Sequence, residues 1–347
     1  MDDNLLWDQE SFNTSTYSGV FIGNEGNFMA DNASLSFYDF DSSKVVNDIF
    51  YKANGIRLGD VAQSITIKDN LAYIVMNNSG KIQIMDIDSF TFKGKITGLT
   101  SPRHIHFLSD EKAYVSDLYA QAISIINPET KSVIGSINLN NGNSQFLQHS
   151  SEKMISWKKY VIVNCWSRDN KILFINSETD QLIDSITVVS QPNSMVIDNQ
   201  DRLWILSDGG FEGSSYDHVK GALQCYDLSS KAQLFIKEFE LDESPGDLII
   251  NENQDTLYFI NHDVYRIPAS LVDTTLELLI KSPYTVGSSG GINGISINPI
   301  NHEIFISDAV DYSEKGKVYR YNQDGVLIDE FKTGIIPSSF AFKQSNE

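Results

Sequence analysis

The chain has 347 residues, 41% of them hydrophobic, only two cysteines and a formal net charge of -20. That charge repels phosphate backbones and no Lys/Arg cluster reverses it locally, so nucleic acid and anionic membrane surfaces are excluded as partners. No apolar run approaches the roughly 18 residues of a membrane-spanning helix, and Met1-Asp2-Asp3-Asn4 does not read as a signal peptide; the expectation is a cytosolic protein or one whose secretion segment has been removed.

Residues 1–17 are polar and irregular and read as an N-terminal arm or tether, with Leu5, Leu6 and Trp7 able to pack. From residue 18 onward one phrase returns: an apolar strand ending in Asn or Asp, a turn, and a second apolar strand. Its first half is Val20-Phe21-Ile22-Gly23-Asn24, then Tyr73-Ile74-Val75-Met76-Asn77 and Ala113-Tyr114-Val115-Ser116-Asp117. Further copies end at Asn164, Asp208, Asn261 and Asp308, which makes seven. The second half runs from Ser36-Phe37-Tyr38-Asp39 and Gln83-Ile84-Met85-Asp86 to Tyr319-Arg320-Tyr321-Asn322. The sixth copy departs, with Val264-Tyr265-Arg266-Ile267-Pro268, and its outer edge is expected to be irregular. A fourth, more polar strand follows each hairpin, such as Lys93-Gly94-Lys95-Ile96, as suits a solvated edge.

A short strand precedes six of the hairpins, such as Ser64-Ile65-Thr66-Ile67 and His104-Ile105-His106-Phe107. The first hairpin lacks one, and the missing strand stands at the far end of the chain as Ile336-Pro337-Ser338-Ser339-Phe340-Ala341-Phe342. Seven four-stranded antiparallel units, spaced by about 40 to 53 residues, predict an all-β, seven-bladed β-propeller over residues 18–347, closed by the C-terminal strand joining the N-terminal blade. Repeated hairpins also suit a β-sandwich, but equal copies with an offset terminal strand favour the ring. Cys165 and Cys225 lack metal-like spacing and read as buried free thiols.

In such a ring the turn after each terminal Asn/Asp shares a face with the linker into the next blade, the face where propellers usually bind ligands. Each of the seven terminal residues, Asn77 among them, is first of all a turn former, since Asn and Asp side chains bond their own backbone. Several loops on that face carry aromatics: Phe28, Tyr119, Trp166 beside Arg168, Phe211 and Tyr216 near His218, and Tyr312. The incoming linkers add Arg57, Arg103, Phe146 and Tyr284. Aromatics interleaved with Asn, Ser, Gly and a few Arg describe a site for a large, flat, polar ligand.

Catalytic signatures are absent: no His-Glu-x-x-His, Gly-x-Ser-x-Gly, phosphate loop or Cys-x-x-Cys occurs. His104 and His106 alternate on one strand and share a side, which suits a metal or a lyase base as well as core histidines. Three readings are therefore weighed: a non-catalytic ligand-capture protein, a lyase or hydrolase using His104 or His106, and a protein-interaction scaffold.

The phrases Gly19-Val20-Phe21-Ile22-Gly23-Asn24-Glu25-Gly26-Asn27-Phe28, Leu58-Gly59-Asp60-Val61-Ala62-Gln63-Ser64, Asn77-Asn78-Ser79-Gly80-Lys81-Ile82 and Gly98-Leu99-Thr100-Ser101-Pro102-Arg103 resemble the YVTN-type propellers of Bacteroidetes surface lipoproteins. Within that group the chain is most similar to the BtuG proteins. The resemblance implies capture of cobalamin (vitamin B12) or a related corrinoid as a bound ligand, with no cofactor required. It also implies a partner, a TonB-dependent outer-membrane transporter of the BtuB type, and a cell-surface location through a lipid anchor on the native precursor.

Overall fold

A computed structural model of the chain describes residues 11–14, 17–140, 149–286 and 291–344. Its 28 strands form seven separate four-stranded antiparallel sheets. Blade 1 holds β1 (Gly19–Asn24), β2 (Ser34–Asp39) and β3 (Lys44–Val46). A short helix, α1 (Ile49–Asn54), then leads into blade 2, which holds β4 (Ala62–Lys68), β5 (Leu71–Met76), β6 (Lys81–Asp86) and β7 (Phe92–Thr97). Blade 3 follows with β8 (Pro102–Phe107), β9 (Ala113–Asp117), β10 (Ala122–Asn127) and β11 (Ser132–Asn138). Blade 4 holds β12 (Ser151–Trp157), β13 (Tyr160–Cys165), β14 (Lys171–Asn176) and β15 (Gln181–Thr187). In blade 5 the strands are β16 (Pro192–Ile197), β17 (Arg202–Ser207), β18 (Ala222–Asp227) and β19 (Gln233–Glu238). Blade 6 has β20 (Gly246–Ile250), β21 (Thr256–Asn261), β22 (Asp263–Pro268) and a four-residue outer strand, β23 (Glu277–Ile280). Blade 7 has β24 (Ile292–Ile297), β25 (Ile304–Asp308), β26 (Lys315–Tyr321) and β27 (Leu327–Ile335). The last strand, β28 (Pro337–Lys343), pairs with β1 from Gly19↔Lys343 to Asn24↔Pro337 and completes blade 1. The seven-bladed propeller and its closure stand as the sequence leads one to expect; the register shift of β22–β23 at the outer edge of blade 6 is one that the outer pairs of blades 2, 3, 4, 5 and 7 share.

The second strand of each blade is buried almost throughout because both of its faces meet neighbouring sheets, and such strands read as continuous apolar runs. Between consecutive blades lie seven apolar layers. The layer between blades 1 and 2 holds Phe21, Phe37, Ile74, Met85 and Phe90, and the one between blades 7 and 1 holds Val20, Ile22, Tyr38, Phe305 and Val318. Both cysteines are buried and unpaired within these layers. Helix α1, which no strand period announces, buries Ile49 and Phe50 in the first layer. It stops at Gly55, whose positive φ of 66° lets its N–H reach the Tyr51 carbonyl.

Residues 11–14 of the expected arm lie against the ring on the face away from the hairpin turns that end each second strand. Phe12 meets Phe90 with ring centroids 4.9 Å apart, and the Thr14 N–H donates to the Asp88 carbonyl at 2.9 Å. The closing strand ends in the same place. Lys343 is fully buried there, with Nζ 2.9 Å from Asp88 Oδ1 and 3.0 Å from Thr14 Oγ1, and a further bond to the Thr14 carbonyl. A buried ammonium survives only with such partners. Lys343→Ala leaves Asp88 with an unpaired charge and frees the end of β28, so unfolding in urea is expected to show a loss of about 3–5 kcal/mol. Substitution by Arg, which keeps the charge, is expected to cost less.

Candidate functional site

Every blade departs from regular pairing at the start of its innermost strand. Register shifts set Gln63, the pair Arg103–His104, the pair Glu152–Lys153, Asn193, the pair Asp247–Leu248, Asn293 and Ser338 outside the ladder with the second strand. A β-bulge re-aims a side chain without breaking the sheet. Here seven bulges send Gln63, Arg103, Glu152, Asn193, Asp247, Asn293 and Ser338 to the axis of the ring, where they line an open-topped cavity of about 340 Å³. Glu25 and Trp166, each directly after a second strand, form part of its wall, so the funnel opens on the face of the hairpin turns.

The polar groups of the funnel are largely satisfied by one another. Arg103 Nε donates to both oxygens of Glu152 at 2.9 and 2.8 Å, and its Nη1 bonds Gln63 Oε1. Lys153 Nζ lies 3.3 Å from Asp247 Oδ1. Asn193 Nδ2 donates to the Pro245 carbonyl at 2.7 Å, and Asn293 Nδ2 to the Pro337 carbonyl at 3.1 Å, each tying its blade to the next. Burial raises the Glu152 carboxyl above the usual range and Arg103 pulls against it. Burial likewise raises Glu25, with Arg103 again opposing. His104 is held well below its ordinary value by burial, then by Lys153 and Arg103, and is neutral at pH 7.

Six of the seven terminal Asn/Asp residues are buried, Asp208 is half-buried, and the ring works as a set of pins. Asn77 Nδ2 donates to Ser101 Oγ at 2.9 Å and to the Pro102 carbonyl at 3.1 Å, fixing the linker into blade 3. Asp117 accepts the N–H groups of Ser101, Tyr119 and Ala120. Asn164 reaches the Pro192 carbonyl at 2.7 Å. These bonds place the hairpin turns beside the incoming linkers, as the strand directions require.

Of the residues singled out in the sequence, Arg103 and Trp166 line the funnel. The Trp166 ring is held by its Nε1, which donates to Asp208 Oδ2 at 2.7 Å. Phe28, Tyr119, Phe211 and Tyr312 are exposed by 68, 52, 64 and 43%, on blades 1, 3, 5 and 7. Phe211 borders a separate, acidic cleft with Glu212, His218, Glu240 and Glu243. Tyr312 is tied to blade 1, its carbonyl accepting Asn27 Nδ2 at 2.8 Å. Tyr284 is half-buried with its hydroxyl on both oxygens of Asp308 at 2.8 and 2.9 Å, and burial and that carboxylate push it up to about 12. Tyr216 is also pushed up to about 12, by burial and then Asp169 and Asp217. Arg168 is exposed at a positive φ of 56°, and Phe146 lies outside the described residues. His104 and His106 each meet a side chain of β12: His104 Nε2 lies 3.9 Å from Glu152 Oε2, and His106 Nε2 meets Ser156 Oγ at 2.7 Å, but only His104 lines the funnel.

The bulge ring was missed by reading for aromatics, yet it has a signal. In all seven blades a polar residue stands two positions before a core residue of the innermost strand, as in Gln63-Ser64-Ile65, Arg103-His104-Ile105 and Asn293-Gly294-Ile295. One repeat position is thus filled in turn by Gln, Arg, Glu, Asn, Asp, Asn and Ser.

A family model described as Domain of unknown function (DUF5074) matches residues 18–342. The chain belongs to the DUF5074 family. No curated protein matches it. Among solved structures, a Lactobacillus plantarum protein has a TM-score of 0.69 at 13% identity, over 94% of this chain and 100% of that one. A quinonprotein alcohol dehydrogenase-like protein from Bacteroides thetaiotaomicron gives 0.67 at 13%, over 95 and 79%. A candidate 6-phosphogluconolactonase from Bacteroides uniformis gives 0.66 at 12%, over 94 and 100%. At such identities the likeness carries the fold and not the chemistry.

The raised carboxyl of Glu25 makes a test of the funnel's electrostatics. A folded-state value above the ordinary 4.5 means that the group adds stability below that value and loses it as pH rises through the folded one. Glu25→Gln is therefore expected to raise Tm at pH 7, with the gain shrinking as the pH falls toward 4.5, read by thermal melts across that range.

Proposed function

We propose that this DUF5074 propeller is a non-catalytic capture protein whose ligand seats over the funnel, and that the ligand is a corrinoid such as cobalamin. The observation that carries the reading is the composition of the loop face: exposed aromatics on blades 1, 3, 5 and 7 stand on the face where the neck opens, and Arg103 and Lys153 in that neck are already paired with Glu152 and Asp247. A cavity of about 340 Å³ is at the small end of ligand pockets. A large ligand thus rests on the mouth, with one substituent in the neck and its plane toward the rim.

A corrinoid is broad, fringed with amides and without large net charge, so it asks for aromatic contact and neutral hydrogen bonds. Favourable aromatic contacts contribute about 0.5–1.5 kcal/mol each and hydrogen bonds near 1 kcal/mol each. Several of both reach the roughly 12 kcal/mol of nanomolar binding when rigid blades keep the ordering cost low. The resemblance to BtuG-type, YVTN-type lipoproteins supports the same ligand. In this reading the protein works at the cell surface, lipid-anchored to the outer membrane, and hands its ligand to a TonB-dependent transporter of the BtuB type. No cofactor enters.

A second reading is favoured by one observation, the placing of His104, Glu152 and Arg103 in a single funnel. A lyase or hydrolase would use neutral His104 as base, although Arg103 occupies both oxygens of the neighbouring acid. It is removed if His104→Ala and His106→Ala together leave every activity found unchanged.

The corrinoid reading is tested by incubating the protein with cyanocobalamin, desalting, and recording the visible spectrum. Retained corrinoid absorption is expected. Its absence, together with no heat at micromolar concentrations in calorimetry, sinks the assignment. Phe28→Ala and Tyr119→Ala are each expected to weaken binding about 2- to 10-fold, the equivalent of one aromatic contact, with Tm unchanged.

A further inference from the structure

Behind the Trp166 wall of the funnel, blade 4 brings three unlike side chains together. His149 stands just before β12, Cys165 ends β13, and Asp169 lies in the following loop. One donor atom from each, an imidazole nitrogen, the thiol sulfur and a carboxylate oxygen, falls within 4.8 Å of the other two. All three residues are buried, Cys165 completely. The sequence spacing gives no sign of this, because the three meet only through the pairing of β12 with β13, where Ser151 faces Cys165.

The arrangement is held from outside its own contacts. Asp169 Oδ2 accepts the His149 N–H at 2.5 Å and meets His149 Nδ1 at 2.8 Å, while Oδ1 accepts the Asn170 N–H at 2.6 Å. Among the described residues no lysine or arginine pairs with Asp169. A buried carboxylate, a thiol and an imidazole thus face one another with no lysine or arginine among them.

We propose that His149, Cys165 and Asp169 form a metal site for a thiophilic divalent ion, zinc first. Sulfur, nitrogen and oxygen together suit zinc rather than magnesium or calcium, which take oxygen donors. Bonds of 2.0–2.3 Å in a tetrahedron separate donors by about 3.3–3.8 Å, so on binding the wider donor pairs, within 4.8 Å, close and the His149 Nδ1–Asp169 Oδ2 pair, at 2.8 Å, opens. Three protein ligands leave a fourth position for water. On binding, the thiol proton is released to solvent and Sγ coordinates as thiolate. A covalent role for the thiol is unsuited to the geometry, since complete burial denies any substrate access to Sγ and burial with the Asp169 and Glu152 carboxylates pushes the thiol up. The ion would join the loop bearing Trp166 and Arg168 to the start of the innermost strand of blade 4, which bears Glu152. It is independent of the corrinoid assignment.

The test uses the full chain, freed of metal by chelation and free of corrinoid, titrated with Co²⁺ as a spectroscopic probe. Expected are one equivalent bound, a thiolate-to-cobalt charge-transfer band in the near ultraviolet, and loss of that band when Zn²⁺ is added. Cys165→Ser should abolish the band and Cys225→Ser should leave it intact. His149→Gln, which keeps the thiol, should weaken Co²⁺ binding at least about tenfold and covers the case in which the Cys165 variant does not fold. Absence of a charge-transfer band in the wild-type protein, or a band that persists in Cys165→Ser, overturns the proposal.

Discussion

Closure of the ring is the constraint on which the rest of the molecule depends. Each blade is apolar on both faces, and a lone sheet of that kind would expose two large apolar surfaces to water. Only a neighbour on each side removes them, and the series ends without an exposed face only if blade 7 meets blade 1. Blade 1 is therefore assembled from both ends of the chain, with β28 zipped onto β1 through six register pairs. Lys343 then fastens that seam to Thr14 and Asp88, so the segment at 11–14 and the turn of blade 2 bear on the same joint. Such long-range pairing delays closure in folding, because loop entropy must be overcome before the final contacts reward it.

The same closure creates the funnel. Seven innermost strands converge on one axis, and a straight strand would direct alternate side chains into the adjoining layers. The bulge at the start of each strand adds one or two residues outside the ladder and turns a polar side chain to the axis. Because these residues lie outside the ladder, they can vary without loss of the apolar layers. Scaffold and funnel are thus separated at the level of single positions: Ile65, Ile105 and Ile295 hold the core, while Gln63, Arg103 and Asn293 two residues earlier line the cavity.

The fold was legible because its signal is repeated seven times, so a weak hairpin pattern becomes a strong one. Blade number, the offset closing strand and the common face of turns and linkers all follow from period-two segments and their directions. What period-two reading misses is anything that breaks the period. Helix α1 has six residues and no strand pattern, and the bulges shift register by one or two positions, which an alternating template treats as noise. Aromatic composition singled out Phe28 and Tyr119, which are exposed, but did not distinguish them from Tyr284 and Trp166, whose polar tips are fixed on Asp308 and Asp208. Those bonds join residues 24 and 42 positions apart and have no local signature. The His149, Cys165 and Asp169 cluster is hidden for the same reason.

The internal pairing of the neck also bears on which ligands suit it. Arg103 and Lys153 are cations facing the mouth of a strongly acidic protein, and small anions would be the obvious guests. Both cations are engaged, however, and Glu152 is buried against Arg103. An anion that drew Arg103 away would leave Glu152 unpaired, a cost of about 3–5 kcal/mol for a buried partner. A neutral amide accepts or donates at the rim of the same network for about 1 kcal/mol per bond without breaking it. The pairing of the charges, more than their presence, thus works against a small charged guest.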